Sequence, residues 1–359
     1  MHSLRSGTTV FGKFGASFCS CCGCRLMNLS ATDLEVQPDF QNFFFESLNL
    51  SHNRLTSLNA DAFPRGLKHL DLGGNMLWSD SLPNAFPDTL EVLNLRKNPF
   101  STLREIQMYP SRLKQLHLHQ TNLDTLEGLD CDSVEYLLLH HTNLKILMNL
   151  PRRLLHLEAY SSRIRLLPNR LPANLRILDV SRNEIRFAGL PRYWGESLEE
   201  LYLSENNLER FPIHLPDSLR ILHLSMNKLT EIPETLPHHL EILCVNDNQL
   251  RKLPLKTRSK PLRFVNVSRN QLTQDVFNEN VRLRWAVVLQ DDDNWNEWPH
   301  KRSAPKIQKR WRLYRMKKRL RAWRRVANYK DELFQVSMMP ERVWQIDDLS
   351  PEWKRQYKT

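Results

Sequence analysis

Five histidines lie close together in the middle of the chain, and histidine is a residue type that can bind metal ions. They are His117, His119, His140, His141 and His156. If neighbouring strands brought His117, His119 and His140 together with Glu158, these side chains could hold one zinc ion at about 2.1 Å per nitrogen. A polar strand face also needs polar side chains, and histidine is one of them. We favour this second interpretation, and we predict no metal ion and no cofactor.

The sequence FCSCCGC contains four of the six cysteines, and the first three, Cys19, Cys21 and Cys22, form an N-terminal cluster. They could bind a metal ion or accept palmitate, but their spacing lacks the paired CxxC arrangement of zinc sites. We favour thiols that are disordered or that belong to a cap. The chain has no P-loop, nucleophile elbow or HExxH motif and only 10 glycines. The sequence therefore predicts that the protein is not an enzyme.

The histidines belong to a leucine pattern that repeats along most of the chain. The template L-x-x-L-x-L-x-x-N-x-L is matched by eleven units at intervals of 20 to 23 residues, which begin at Phe45, Leu67, Leu90, Leu113, Val134, Leu154, Leu175, Leu198, Leu219, Leu240 and Leu262. A twelfth, degenerate unit begins at Cys24, which we expect to be a small buried residue. The central x-L-x-L-x predicts a short strand, with leucines pointing into a core and the other residues pointing away.

Two further positions of the unit predict how the chain turns and returns. Asparagine follows the strand in eight units, and its amide can pair with backbone donors and acceptors that the turn leaves in the core. Thr121, Thr142 and Ser162 replace it in three consecutive units, so we expect a weaker ladder there. Proline stands three residues before the start of seven units. It excludes a regular helix and predicts an extended or polyproline-like return segment.

This repeat resembles the leucine-rich-repeat family, and in particular its short LPxxL-type subclass. The segment LPDSLRILHLSMNKLTEIPETLPHHLEILCVNDNQLRKLP is similar to repeats of bacterial effectors that are injected into host cells, and of large DNA virus proteins. The resemblance covers about residues 24–275. It implies an α/β-type repeat solenoid, a leucine-rich-repeat horseshoe with short parallel strands on the concave face and an extended convex face.

The expected concave face carries the candidate binding residues. We predict that a protein partner contacts polar and aromatic side chains there, namely His117, His119, Tyr136, His140, His156, Glu158, Tyr160, Tyr202 and His223. One row of this face becomes apolar toward the C-terminal half, at Ile177, Ile221, Ile242 and Phe264. Exposed apolar rows are usually covered, and either a partner or the C-terminal segment of the chain could cover this one.

The positive charge of the chain is concentrated in its last part. The net charge is +11, and residues 301–359 contain 18 Lys or Arg against 6 Asp or Glu, so the remainder is nearly neutral. Residues 301–330 contain no acidic residue and predict an amphipathic α-helix. We therefore divide the chain into an N-terminal Cys-containing segment, the solenoid of about 12 units, a C-terminal cap and a basic helical tail, at 1–23, 24–275, 276–300 and 301–359.

The tail contains the sequence IQKRWRLYRMK, which is similar to the IQ motif of helices that bind EF-hand proteins such as calmodulin, although Leu313 replaces the glycine of the motif. We predict that its partner contacts Ile307, Gln308, Trp311, Arg312, Tyr314, Lys317 and Trp323. The same basic helix could instead bind nucleic acid, lie on a membrane surface or pack against the end of the solenoid. Of these, membrane-surface contact is the least expected.

These patterns predict a non-enzymatic scaffold or adaptor, whose concave face binds a protein and whose basic tail docks a second partner. The alternative is a structural component of a large assembly, such as a virion or ribonucleoprotein particle, whose tail grips nucleic acid or a shell protein. No apolar run approaches the roughly 20 residues of a membrane span. No cysteine follows Cys244. We expect an intracellular protein with reduced thiols, and not a secreted one.

Overall fold

A computed structural model describes residues 16–18, 25–233, 235–253, 262–272 and 287–289. The chain divides into two units, and the first contains residues 26–295 with all the repeats from Leu26 onward. The second unit comprises residues 17–25 and 296–359, of which the structure describes Ser17, Phe18 and Arg25. The predicted thiol cluster, Cys24 and the predicted tail helix with its contact residues all lie outside the described residues.

Short strands are the main elements of the described chain. They are β1 (Ala16–Phe18), β2 (Arg25–Asn28), β3 (Ser47–Asn49), β4 (His69–Asp71), β5 (Val92–Asn94), β6 (Gln115–His117), β7 (Tyr136–Leu138), β8 (His156–Glu158), β9 (Ile177–Asp179), β10 (Glu200–Tyr202), β11 (Ile221–His223), β12 (Ile242–Cys244), β13 (Phe264–Asn266) and β14 (Val287–Leu289). From β2 to β14 each strand pairs in parallel with the next one in the chain. One sheet therefore follows the order of the repeats.

The core is a stack of equivalent leucines. Leu201, the middle residue of β10, is fully buried and stands opposite Leu178 of β9 and Leu222 of β11. Leu203, two residues later, is fully buried as well. Each unit therefore buries its apolar surface against its neighbours, as expected for a repeat solenoid. The strands and their parallel order confirm the prediction from the leucine spacing.

Buried asparagines connect successive units at the turn after each strand. Asn206 donates from Nδ2 to the carbonyl oxygens of Val180 (3.0 Å) and Leu203 (3.1 Å), and its Oδ1 accepts from the amide of Ile185 (3.0 Å). Asn53, Asn75, Asn98, Asn183, Asn227, Asn248 and Asn270 make the equivalent bonds. Each of them satisfies backbone groups of two neighbouring units, which would otherwise be buried without partners.

Hydroxyl groups make fewer bonds in the three central units, as expected. Thr121 donates from Oγ1 to the carbonyl of Leu118 (2.8 Å), and Thr142 donates to the carbonyl of Leu139 (2.9 Å). Ser162 accepts from the amide of Thr142 (3.1 Å). A hydroxyl has one hydrogen to donate, so within the described residues these side chains reach fewer backbone groups than an asparagine does.

The residue directly before the ladder asparagine, threonine or serine has a left-handed backbone in every unit. The repeat pattern of the sequence did not predict this. These residues are Ala31, His52, Gly74, Lys97, Gln120, His141, Ser161, Arg182, Glu205, Met226, Asp247 and Arg269, with φ between 51° and 69°. Gly74 is the only glycine in this series. Left-handed φ values are costly for other residues, so the tight turn that buries the next side chain must offset that strain in eleven units.

The return segments of the described repeats consist of turns, bends and isolated parallel bridges, such as the one between Ile146 and Leu166. Their regular elements are three short 3-10 helices, Ala60–Ala62, Ser79–Ser81 and Phe187–Gly189, and no α-helix occurs among the described residues. Within that part of the chain, nothing has the length and apolarity of a helix that could cross a membrane. Strand β14 lies in the range predicted as a cap, and it continues the sheet with Val288 opposite Val265.

Candidate functional site

The candidate binding residues lie on one side of the sheet. We use the term sheet face for the side whose residues alternate with the core leucines and point away from them. His117, His156 and Glu158 belong to β6 and β8, and Tyr136 begins β7. His119, His140 and Tyr160 follow β6, β7 and β8 by two residues, while Tyr202 and His223 end β10 and β11. The nine residues therefore form one group on β6–β8 and a smaller one on β10–β11.

Three rings of the first group stack across three repeats. The ring centroids of His119 and His140 are 4.3 Å apart, with 23° between the planes. Those of His140 and Tyr160 are 4.4 Å apart, with only 4° between the planes. Adjacent strands of a sheet stand about 4.8 Å apart, so equivalent positions of successive units hold flat rings at stacking distance. The repeat geometry itself produces this stack.

Hydrogen bonds link two of the other predicted residues, His156 and Tyr202, to carboxylates. His156 Nε2 lies 2.9 Å from Glu158 Oε1, and the His156 ring lies 6.0 Å from that of Tyr136. In the smaller group, Tyr202 donates from its hydroxyl to Glu200 (2.9 Å), and its ring centroid lies 4.9 Å from that of His223. The two groups thus combine aromatic rings with acceptor oxygens.

Burial divides the predicted contact residues into two kinds. His117, His119 and His156 are 1%, 8% and 8% exposed, so they support their neighbours rather than present a surface. The other six are half-buried, namely Tyr136, His140, Glu158, Tyr160, Tyr202 and His223. In the apolar row, Ile221, Ile242 and Phe264 are buried as well. The His140–Tyr160 pair is the part of the ring stack that a partner can touch.

His117 and the two histidines of the stack, His119 and His140, are held in their neutral form. Burial lowers the pKa of His117 to about 4, and the nearby positive charge of Arg96 adds to this effect. Burial also lowers the pKa of His140 to about 4, against the opposite influence of Glu158. The pKa of His119 is lowered further, by burial first and then by His140 and His117. Near neutral pH the stack is therefore uncharged.

Several polar atoms of the sheet face are buried without a hydrogen-bond partner in the part of the chain that the structure describes. They include Nδ1 of His117, His119 and His140, and Nδ2 of Asn94. Each such atom costs about 1–3 kcal/mol, because water bonds are lost and nothing replaces them. These four atoms lie on β5 to β7 or within two residues of these strands.

Two charged residues complete the site, although the candidate set from the sequence leaves them out. Asp179 stands opposite Glu158 on the neighbouring strand, and burial raises the pKa of Asp179 to about 6. Arg96 occupies the row of His119 one repeat earlier, and a side chain at Gly73 would meet Arg96 Cγ at 2.9 Å. Gly73 therefore leaves the space in which Arg96 lies. The sequence could have indicated both residues, because Asp179 and Arg96 occupy the same repeat positions as Glu158 and His119.

The geometry of the rings does not favour chelation of a metal ion. The nitrogen lone pairs of imidazole lie in the plane of the ring, whereas His119 and His140 meet face to face. No group of three or more His, Cys, Asp or Glu side chains among the described residues is arranged to hold a metal ion. The arrangement instead offers stacking surfaces, acceptor oxygens and neutral polar rings.

Comparison with known families agrees with the fold. The sequence model of the family described as Leucine Rich Repeat matches residues 44–65, 66–88, 197–217 and 218–238. These matches lie in the N-terminal and C-terminal parts of the sheet and leave out the central units that carry the histidines. The chain contains leucine-rich repeats, and its described part is a parallel-strand leucine-rich-repeat solenoid.

Particular relatives share the repeats over part of the chain. Toll-like receptor 2 type-1 of Gallus gallus is 31% identical over 151 residues, which are 41% of this chain and 17% of the receptor. Podocan-like protein 1 of Homo sapiens is 34% identical over 190 residues, which are 47% of this chain and 36% of that protein. The matches thus span well under half the length of these relatives, and nothing in them points to catalysis.

A solved structure with the same fold comes from the octameric complex of Latrophilin 3, Unc5D and FLRT2, in which FLRT2 contributes the leucine-rich repeats. The TM-score is 0.62, the sequence identity is 21%, and the match covers 77% of this chain and 92% of that one. At this identity the similarity concerns the fold alone, so the function has to be argued from the site.

Proposed function

We propose that the protein is a non-enzymatic scaffold that binds a protein partner through the sheet face of β6–β8. The observation that carries this proposal is the half-buried pair of His140 and Tyr160, whose rings stack 4.4 Å apart beside Glu158. Aromatic side chains that are already ordered lose little conformational entropy on binding. They are also among the residues that contribute most to the affinity of protein interfaces.

The chemistry of the site selects the kind of partner. Glu158 and Asp179 place two carboxyl groups on neighbouring strands next to the ring of Tyr160. A planar, positively charged guanidinium can stack on such a ring and at the same time bond to a carboxylate. We therefore expect a partner protein that presents an arginine to Tyr160 and Glu158, with neutral polar groups over His140.

Site-directed photo-crosslinking in the full chain tests the surface. A photoreactive phenylalanine derivative at Tyr160 should capture a defined protein from an extract of the source cells, and the same probe at Tyr193 should not. Tyr193 is the matched control, because it is also a tyrosine, is 59% exposed and lies in a return segment away from the sheet face. Identical products from the two positions would contradict the proposal, as would a product that the wild-type chain fails to compete away.

From the sequence alone we further expect the LPxxL subclass, an intracellular location and a second partner on the basic tail. The kind of partner that the tail binds can be tested with variants that change the IQ-like motif but keep the charge of the tail. Replacing Ile307 and Trp311 by alanine leaves every charge in place, so loss of binding would indicate a groove of an EF-hand type. Binding that survives this change but falls about 10³–10⁵-fold between 50 and 200 mM salt would indicate nucleic acid instead.

A further inference from the structure

A row of charged side chains runs along one edge of the sheet. It consists of the residue directly after the first position of each unit, just before the strand. In the first five full units it reads Glu46, Lys68, Glu91, Lys114 and Glu135. In the last five it reads Arg176, Glu199, Arg220, Glu241 and Arg263. Leu155 stands between the two halves. We call these eleven residues the edge row.

The backbone holds the edge row as one continuous line. The amide of each member donates to the carbonyl of the preceding member, as from Lys68 to Glu46 (2.8 Å), from Leu155 to Glu135 (2.8 Å) and from Arg176 to Leu155 (2.9 Å). The whole series comprises ten such bonds, all of 2.8 or 2.9 Å. At about 4.8 Å per strand the row is roughly 48 Å long. Neighbouring members are therefore adjacent in space as well as in order.

Ion pairs within the chain explain why the signs alternate. Lys68 lies 2.7 Å from Glu46, and Glu241 lies 2.8 Å from Arg220 and 3.1 Å from Arg263. A strictly alternating row would have a positive charge at position 155 and a negative charge at position 176. Instead, Leu155 interrupts the row, and the second half resumes with the sign reversed. The ion pairs of the row join adjacent members, so they do not require this change of phase at the uncharged Leu155.

The change of phase makes the row complementary to itself when it is reversed. A two-fold axis through Leu155 brings Glu46 opposite Arg263, Lys68 opposite Glu241, Glu91 opposite Arg220, Lys114 opposite Glu199 and Glu135 opposite Arg176. Every charge then faces one of opposite sign, and Leu155 faces its own copy. An unbroken alternating row of eleven charges would read the same in both directions, so every charge would face its like.

The order of charges also favours this alignment over slipped ones. If the reversed row slips by one unit in either direction, like charges face each other at every position where two charges meet. For example, Glu91 would then face Glu199 or Glu241, and Lys114 would face Arg176 or Arg220. Like-charge contacts oppose association, so a slip of one unit is disfavoured. A slip of two units leaves only three of the five pairs of opposite charge and places Arg176 or Glu135 against its own copy.

The row is accessible enough to form a contact. The side chains of Lys68, Arg176, Arg220 and Arg263 are 44%, 61%, 54% and 77% exposed, and those of Glu91 and Glu241 are 22% and 27% exposed. A strip about 48 Å long needs to be only about 17 Å wide to bury the roughly 800 Å² per partner that is typical of specific complexes. Individual exposed ion pairs contribute weakly, so specificity would come from the whole row.

We propose that the edge row is a homodimer interface, in which two copies of this chain meet in reversed orientation with Leu155 on the two-fold axis. Such an interface is isologous, because the same patch of both copies takes part and each contact occurs twice. It lies at the start of the strands, whereas His119, His140 and Tyr160 follow their ends. The homodimer is thus independent of partner binding at the sheet face.

Charge exchange between copies tests this interface in the full chain by sedimentation velocity at about 0.05 M salt, where surface charges are weakly screened. The wild type should sediment as a dimer. Arg220→Glu places a glutamate opposite Glu91 of the other copy, and Glu91→Arg places an arginine opposite Arg220. Each variant alone should dimerise at least about tenfold more weakly. A mixture of the two should recover the dimer, because the exchanged pair has opposite charges again.

A control separates the interface from damage within the chain. Arg182→Glu makes the same change of charge as Arg220→Glu. It also removes an ion pair, since Arg182 Nε lies 2.8 Å from Glu205. Arg182, however, does not belong to the edge row. The substitution should leave dimerisation unchanged. A wild-type chain that stays monomeric up to about 100 μM would overturn the proposal. So would a mixture that fails to recover, because an effect within one copy cannot be repaired by another.

Discussion

His140 and Tyr160 stack with their ring centroids 4.4 Å apart and their planes 4° apart, although 20 residues separate them in the chain. They occupy the same position of two successive repeats, so the spacing between neighbouring strands sets the distance between their rings. The repeat geometry therefore aligns the two rings. Because the residues at these positions are a histidine and a tyrosine, the aligned rings can recognise a partner. A repeat fold provides the positions, and the sequence of each unit decides what they present.

The neutral histidines predict a dependence of stability on pH. The pKa of His119 is lowered by burial, so below about pH 6.5 the unfolded chain binds a proton that the folded chain does not. The free energy of unfolding should then fall as the pH decreases. His117 and His140 act in the same direction down to their pKa values of about 4. Asp179, with a pKa raised to about 6, acts in the opposite direction between about pH 4 and 6, but it is outnumbered.

His119→Phe tests this, because phenylalanine keeps a flat ring in the stack and cannot bind a proton. Urea unfolding at several pH values between 7 and 5 should give a slope that is flatter than that of the wild type by up to about 1.4 kcal/mol per pH unit. His214→Phe is the control, since His214 is exposed and lies outside the sheet face. A wild-type slope in the His119 variant would show that this histidine is not kept neutral by the fold.

The two kinds of ladder residue predict unequal costs of truncation. Asn206→Ala leaves the buried backbone groups of Val180 and Ile185 without their side-chain partner, and it should lower the free energy of unfolding by about 1–3 kcal/mol. Thr121→Ala removes one bond to Leu118, so about 1 kcal/mol or less is expected. Urea unfolding of the two variants measures the difference. Equal losses would mean that the asparagine bonds across units do not stabilise the solenoid.

The spacing of leucines was sufficient to predict the strands, their parallel order and the residues that share the sheet face, because burial imposes the same pattern on every unit. It could not predict which polar residues of that face are buried. His119 and His140 occupy equivalent positions, yet only His119 is buried, because the side chains of neighbouring units differ around each of them. The left-handed residues were also not apparent, since Lys97 and Met226 are not residues that favour this conformation.

A charge in the core should unfold the solenoid. Leu222 is completely buried between Leu201 and Leu243, so Leu222→Asp would place a carboxylate where no partner can reach it. Far-ultraviolet circular dichroism should show loss of the folded signal at neutral pH. Ile213→Asp is the matched control, because Ile213 is 54% exposed and should tolerate the same charge. A Leu222 variant that keeps the circular dichroism of the wild type would contradict the register of the repeat.

The most direct test of the central claim is the affinity of the full chain for the partner captured through Tyr160, measured by titration calorimetry. Replacing His140 and Tyr160 together by alanine should weaken binding at least about 30-fold, in line with the loss of a central aromatic contact at a protein interface. Tyr193→Ala should bind like the wild type. If the double variant keeps the circular dichroism of the wild type and its full affinity, the stacked rings of the sheet face are not the binding surface.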